Sequence, residues 1–285
     1  MLRYVVAMTP FGSFLQTWRK TRRYSQLHLA GEAGVSARHL SFLETGRAQP
    51  SREMVERLGE ALALPLGARN QLLSYAGFAA RYSGYLWDAD EMAPIRAAVA
   101  YTLHRHAPYP ALALDRLWTI VRLNAPAQAL YAHLGVGVGD SLLDLMVSEM
   151  MPERVENWPQ VAHQAAHQLW NESAAQGGVP ELDRAAAHLA QQARRSVDLG
   201  EAGLGPVTPT IYRYGGLRLS LFSTLSHFST PRDVMLEDFK LELYFPADTA
   251  TKEALHAFAA AGPGVESETE QDCRQGERLT PPSRP

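Results

Sequence analysis

Three serines and two glycines form the most restrictive pattern in the chain. Ser25, Ser36 and Ser51 each precede a short run with helical spacing, and Gly34 and Gly46 close the first two runs. A serine hydroxyl at such a place accepts a hydrogen bond from an unpaired N–H of the first turn. A glycine just past the end takes the conformation that stops a helix. The second run, from Ser36, puts Leu40, Leu43 and Glu44 on one side, because residues three and four apart share a face. Ala37, Arg38 and Ser41 fall on another side, with Phe42 beside Arg38. Within the first run Ala30 is small enough for helices to cross closely; at the joint Gly34 makes the turn and Val35 plugs the angle. This is the logic of a helix-turn-helix.

The surroundings extend the pattern to five short helices within residues 11–77. Phe11–Arg23 carries Phe14, Leu15 and Trp18 at helical spacing. The run after Ser51 aligns Met54, Val55, Leu58, Ala61 and Leu62, and Pro65 breaks the chain before a fifth helix. Charge is concentrated here: residues 1–85 hold 11 Lys+Arg against 5 Asp+Glu, while the remainder holds 16 against 25. A basic module on an acidic remainder suits a polyanionic partner. No apolar run approaches the ~20 residues of a membrane span. A lone cysteine, Cys273, offers no disulfide framework, and a cytoplasmic setting fits. The opening "MLRYVVAM" is too short for a signal peptide, and both Met1 and Met8 are possible starts.

The segment "SQLHLAGEAGVSARHLSFLETGRAQPS" resembles the XRE family, the lambda-repressor-like DNA-binding domains. The resemblance covers about residues 11–77 and implies a five-helix domain, set at 8–77, whose third helix enters the major groove of double-stranded DNA. Arg38 then suits guanine O6 and N7, and Ala37 or Phe42 a thymine methyl. Ser36, His39 and Ser41 share that surface. Gln26 and Arg47 suit phosphates. Packing of Phe42 on the fourth helix is the competing reading.

Residues 78–107 read as a linker and connecting helix, with Pro94 in the first turn and Ile95, Val99 and Leu103 following at four-residue steps. The pattern then changes. Two short strands fit "ALALDRLWTIVRLN", and helical stretches follow at about 125–134, 140–147, 153–174 and 181–197. Gly215-Gly216 joins two β-rich runs as a hairpin would, "LEDFKLELYFP" alternates as a strand, and a last helix covers about 249–261. This order predicts an α+β domain over 108–261, one antiparallel sheet with helices. Asp248 is placed to cap the last helix, and Asp233 to fix a turn. The tail, 262–285, has the composition of a disordered segment.

Chemistry finds little support in this half. His163 and His167 lie four apart, a metal-compatible spacing, without the glutamate of an HExxH motif or a third ligand. Ser223-Thr224 or Ser226 beside His227 lack a G-x-S-x-G elbow. No enzyme, metal or cofactor is expected.

Four stretches resemble the ligand-binding domain of MmyB-like regulators, a PAS-type fold: Asp115-Arg116 with Trp118 and Asn124; Asn157-Trp158; "LFSTLSHFSTPRDV"; and "YFPADTAT". The resemblance implies a transcriptional regulator with a sensor domain and no chemistry. Ligand pockets are mostly apolar with few polar anchors, and the candidates for the lining are Trp118, Ile120, Leu130, Leu142, Leu145 and Met146, then Trp158, Leu169, Trp170, Phe222 and Leu225. Arg122, Asn124, Asn157 and His227 are the candidate anchors. The expected ligand is lipophilic, a fatty acid or similar acyl compound, and the expected assembly a homodimer. The competing reading makes the PAS-like domain a dimerisation or protein-interaction module alone.

Overall fold

The computed structural model describes residues 9–194, 207–214, 216–229, 231–237 and 239–261. The two possible starts, Cys273 and the 262–285 tail lie outside the described residues. The chain clusters into two compact units. The first is Met1–Gly84 with Asn171–Val179 and Thr230–Glu237, and the second is the remainder.

In the first unit five helices follow one another: α1 (Pro10–Thr21), α2 (Gln26–Glu32), α3 (Ala37–Glu44), α4 (Arg52–Ala61) and α5 (Leu66–Tyr75). The three serine caps form as the sequence predicts. Ser25 accepts from His28 N, Ser36 from His39 N and Ser51 from Met54 N. Gly34 has φ +64°, and Val35 N donates back to Ala30 O at 2.8 Å, which closes α2 and turns the chain into α3. One core gathers Leu15 and Trp18 of α1, Leu29 of α2, Leu40 and Leu43 of α3, and Leu58 and Leu72 of α4 and α5. Gly12 is where α1 crosses α3, and a Cβ there would collide with the Glu44 carbonyl.

The second unit begins with α6 (Ala93–Arg105), β1 (Ala111–Leu114), β2 (Ile120–Leu123), α7 (Ala125–His133), α8 (Leu142–Val147) and α9 (Met151–Arg154). Then come α10 (Trp158–Ala175), whose residues from Asn171 onward are counted with the first unit, α11 (Pro180–Arg194), β3 (Thr210–Tyr214) and β4 (Leu217–His227). The short α12 (Val234–Glu237) belongs to a segment of the first unit, and β5 (Lys240–Pro246) and α13 (Thr249–Ala261) complete the chain. The five strands pair antiparallel in the order β2-β1-β5-β4-β3. A helical unit followed by an antiparallel sheet with helices is the architecture the sequence predicts. Asp248 caps α13 by accepting from Thr251 N at 2.7 Å, and Asp233 accepts from Met235 N at 2.9 Å in its turn.

One predicted element is broken in two. The helix expected over 153–174 is interrupted between α9 and α10, where Val155 is extended and bridges Tyr212 of β3. Glu156 N donates to Ile211 O, and the Asn157 amide both donates to Pro209 O and accepts from Ile211 N. Pairing at the sheet edge outweighs helical propensity there, a local preference that tertiary context overrides.

Candidate functional site

The outer face of α3 and the turn after it form the candidate DNA face. Arg38 is exposed, and its guanidinium carbon lies 5.4 Å from the centre of the half-buried Phe42 ring. The two side chains form a pair at i and i+4, and the contact holds the arginine against an aromatic face. Ala37 packs partly against the core, which leaves it a small contribution to the outer surface. His39 and Ser41 are half-buried, and the Ser41 carbonyl accepts from the Thr45 hydroxyl at 2.7 Å. The Ser36 oxygen caps α3, leaving its own O–H to donate. Arg47 is exposed beyond the helix, its N–H donated to Phe42 O at 2.8 Å.

Behind this face sits Glu44, buried at 1% exposure. Arg19 of α1 grips it with two parallel bonds, Nε to Oε1 at 2.6 Å and Nη2 to Oε2 at 3.0 Å. Gln26 of α2 adds Nε2 to Oε2 at 2.7 Å. Burial alone would raise this carboxyl, but the hydrogen bonds from Arg19 and Gln26 and the arginine charge hold it below the usual carboxylate range. One carboxylate thus ties α1, α2 and α3 together. Gln26, expected at a phosphate, directs this amide donor inward, and a phosphate there would meet the remaining amide N–H or the helix N-terminus.

The second unit holds a partly open cavity of about 300 Å³, at the lower end of the range of small-molecule sites. Its walls come from Leu142, Leu145 and Met146 of α8, Met151 of α9, Trp158 and Val161 of α10, and Tyr131 of α7. Gln164 and Gln168, exposed on α10, and Thr208 bring polar groups to its rim. The floor is one face of the sheet: Thr210 and Tyr212 of β3, Ser223 of β4, and Glu242 and Tyr244 of β5. Trp118, at φ +63°, also lines the cavity, with Lys240 Nζ 4.7 Å from its ring centre. A tryptophan in the left-handed region is strained, and such strain persists where the surroundings over-determine it.

The polar floor is tightly knit. The Tyr131 and Tyr244 hydroxyls meet at 2.7 Å, and the Ser223 hydroxyl donates to Glu242 Oε1 at 2.7 Å. Burial pushes the Tyr131, Tyr212 and Tyr244 hydroxyls above their ordinary value, so they remain protonated. Burial likewise raises the Glu242 carboxyl, and Ser223, Tyr244 and the Lys240 charge oppose that rise without cancelling it.

Of the residues expected to line a pocket, Trp118, Leu142, Leu145, Met146, Trp158 and Phe222 do so. Ile120, Leu130 and Leu169 are buried elsewhere in the unit, as ordinary core. Trp170 is 38% exposed, and Leu225 and the exposed His227 lie beyond the lining. Arg122 is half-buried on β2, also outside it. Asn124, expected as an anchor, uses its side chain structurally. It accepts from Ala111 N and Ala127 N and donates to Leu103 O and Tyr109 O, which welds β1, α6 and α7. Asn157 is occupied at the break before α10 as described. Sequence reasoning missed Glu242, Tyr244, Tyr212 and Tyr131. The signal available was the alternation of Lys240, Glu242 and Tyr244 in "KLELYFP", three polar-tipped residues on one face of a strand.

His163 and His167 are exposed on α10 with ring centres 4.6 Å apart. Among the described residues no group of three or more His, Cys, Asp or Glu is placed to hold a metal, and no helix is long and apolar enough to cross a membrane.

No curated protein matches the chain. Two family models do. A helix-turn-helix domain matches residues 10–72, which contain α1–α4 and most of α5. The MmyB-like transcription regulator ligand binding domain matches residues 95–258, more than half of the chain and including every described strand and every residue named above as lining the cavity. With a DNA-binding module in front and this ligand-binding domain behind, the chain belongs to the family of MmyB-like transcription regulators.

Proposed function

We propose that this regulator is a one-component sensor that binds an elongated lipophilic molecule of the alkyl or acyl kind in the second unit and reads two DNA half-sites as a homodimer. The observation that carries the ligand reading is the cavity of about 300 Å³ between sheet and helices, walled by leucine, methionine and tryptophan. A module serving only protein contacts has no use for such a space, because interiors otherwise pack to crystal-like density. Ligand binding alters DNA affinity to the extent that the ligand prefers one dimer geometry. The protein acts in the cytoplasm, where its DNA partner is, and performs no chemistry on its ligand. For a fatty acid the head group calls for Arg122, His227 or an asparagine N–H nearby, or water at the cavity mouth; Arg122, His227, Asn124 and Asn157 do not line the cavity, which leaves the mouth for a carboxylate.

The test is a length series of saturated chains, as acids and as primary alcohols, titrated into the delipidated full chain while melting is followed. Each buried methylene contributes about 0.8 kcal/mol, roughly fourfold in affinity, until the cavity is full. Bound ligand raises the melting temperature by mass action. A flat response at every length in both series removes the lipophilic reading and favours the protein-interaction module.

A further inference from the structure

Four buried side-chain polar atoms among the described residues lack a hydrogen-bond partner: Ser148 Oγ, Gln160 Oε1, Gln176 Oε1 and Glu242 Oε2. Only Glu242 belongs to a residue that lines the cavity. Its other oxygen accepts from Ser223, and no donor stands at hydrogen-bond geometry to Oε2. An unsatisfied buried oxygen costs about 1–3 kcal/mol, which a ligand group placed against it recovers.

Resting on the lipophilic reading above, we infer that the floor of the cavity takes the hydroxyl of an uncharged long-chain molecule, hydrogen-bonded to Glu242 Oε2, and turns away a carboxylate. A hydroxyl both donates and accepts, so it satisfies Oε2 whether Glu242 is ionised or protonated. A ligand carboxylate beside Glu242 is different. Two carboxylates side by side among buried groups repel, so one of them is held protonated, and where Glu242 is ionised beforehand one proton is taken up on binding. The groups that face Glu242 are Ser223 from β4, Tyr212 from β3, Tyr131 from α7, and Tyr244 and Lys240 from β5 itself. The tyrosines stay neutral. Lys240 is fully buried against the Trp118 ring and does not line the cavity, so it offers an entering anion no direct contact.

The experiment compares dodecan-1-ol with dodecanoate on the delipidated full chain, by melting and by direct titration, from about pH 6 to about pH 8. The alcohol is expected to bind with little pH dependence. Dodecanoate is expected to bind at least about tenfold more weakly at the upper end and to gain up to about tenfold per pH unit on acidification, the slope of one proton taken up. In Glu242→Gln, which keeps the shape, the slope disappears and the gap between acid and alcohol closes. If dodecanoate binds the wild type as tightly as the alcohol with no pH slope, the head-group inference is overturned while the lipophilic reading stands. If both ligands bind and the slope persists in Glu242→Gln, Glu242 is not its source and the inference is likewise overturned. If neither compound binds, and no acid or alcohol of the length series above does, the lipophilic reading fails and takes this inference with it.

Discussion

Glu44 and Glu242 are both buried glutamates, at 1% and 8% exposure, one in each unit, and their carboxyls move in opposite directions. Glu44 receives a two-pronged arginine and a glutamine amide, so the interior offers it more than water did. Glu242 receives a serine hydroxyl on one oxygen, with Tyr244 nearby, and its other oxygen has no donor at hydrogen-bond geometry. Burial acts on both; the partners decide the sign. The difference separates a finished structural joint from a site built to be completed by something else. The helix-turn-helix unit holds α3 with bonds internal to the protein, whereas the ligand-binding unit carries a polar group that its own fold leaves unsatisfied.

The largest expected effect tests the joint. Arg19→Ala strands the Glu44 charge in the core and should cost about 3–5 kcal/mol, read as lost hydrogen-exchange protection in α1–α3 of the full chain. Glu242→Gln should by contrast leave protection in β4 and β5 unchanged or raise it. A cost below about 1 kcal/mol for Arg19→Ala would erase the contrast between the two sites.

A smaller effect belongs to the surface that the joint supports. Arg38→Ala should cost about 1–3 kcal/mol on a duplex selected from a random pool, with less loss on a scrambled one, if Arg38 reads a guanine. Arg47→Ala should weaken both duplexes alike, because phosphates carry no code. Binding of the two duplexes at one fixed salt concentration decides it, and an unchanged specificity ratio for Arg38→Ala removes Arg38 from the bases.

The smallest effect is a pair of opposite pH responses. Glu44 has a folded-state value below its ordinary 4.5. Its contribution is present above that ordinary value and is lost as the pH falls through the folded one. Glu242 has a folded-state value above 4.5. Its contribution is present below the ordinary value and is lost as the pH rises through the folded one. Melting curves across pH should therefore show Glu44→Gln losing its disadvantage toward acid, and Glu242→Gln gaining an advantage toward neutral pH. Parallel pH profiles for both variants would break the comparison.

The two units were unequally legible. The helical one announces itself through Ser25, Gly34, Ser36 and Ser51, since capping and turn chemistry act over three or four residues and are visible in a short window. The core face of α3, with Leu40, Leu43 and Glu44, follows from helical spacing alone. In the second half of the chain the same local logic located the strands and the longer helices to within a few residues, apart from the break at Val155, which a distant strand imposes, and the short helix Val234–Glu237, which it missed. The cavity is another matter. Alternation along β5 reveals two faces but not which one looks inward, and here Lys240, Glu242 and Tyr244 are buried while Leu241 and Leu243 are only half so. Polar anchors chosen by residue type also went astray, because Asn124 and Asn157 are claimed by backbone groups of distant segments.

By itself, then, the sequence determined what depends on near neighbours: the capped helices, the turn, the hairpin, the basic first module and the α+β order behind it. Tertiary structure alone decided which side chains face the cavity and which polar atoms find partners. Both depend on residues far apart in the chain, such as Ser223 and Glu242 or Tyr131 and Tyr244, meeting at hydrogen-bond distance, and no local pattern encodes such a meeting.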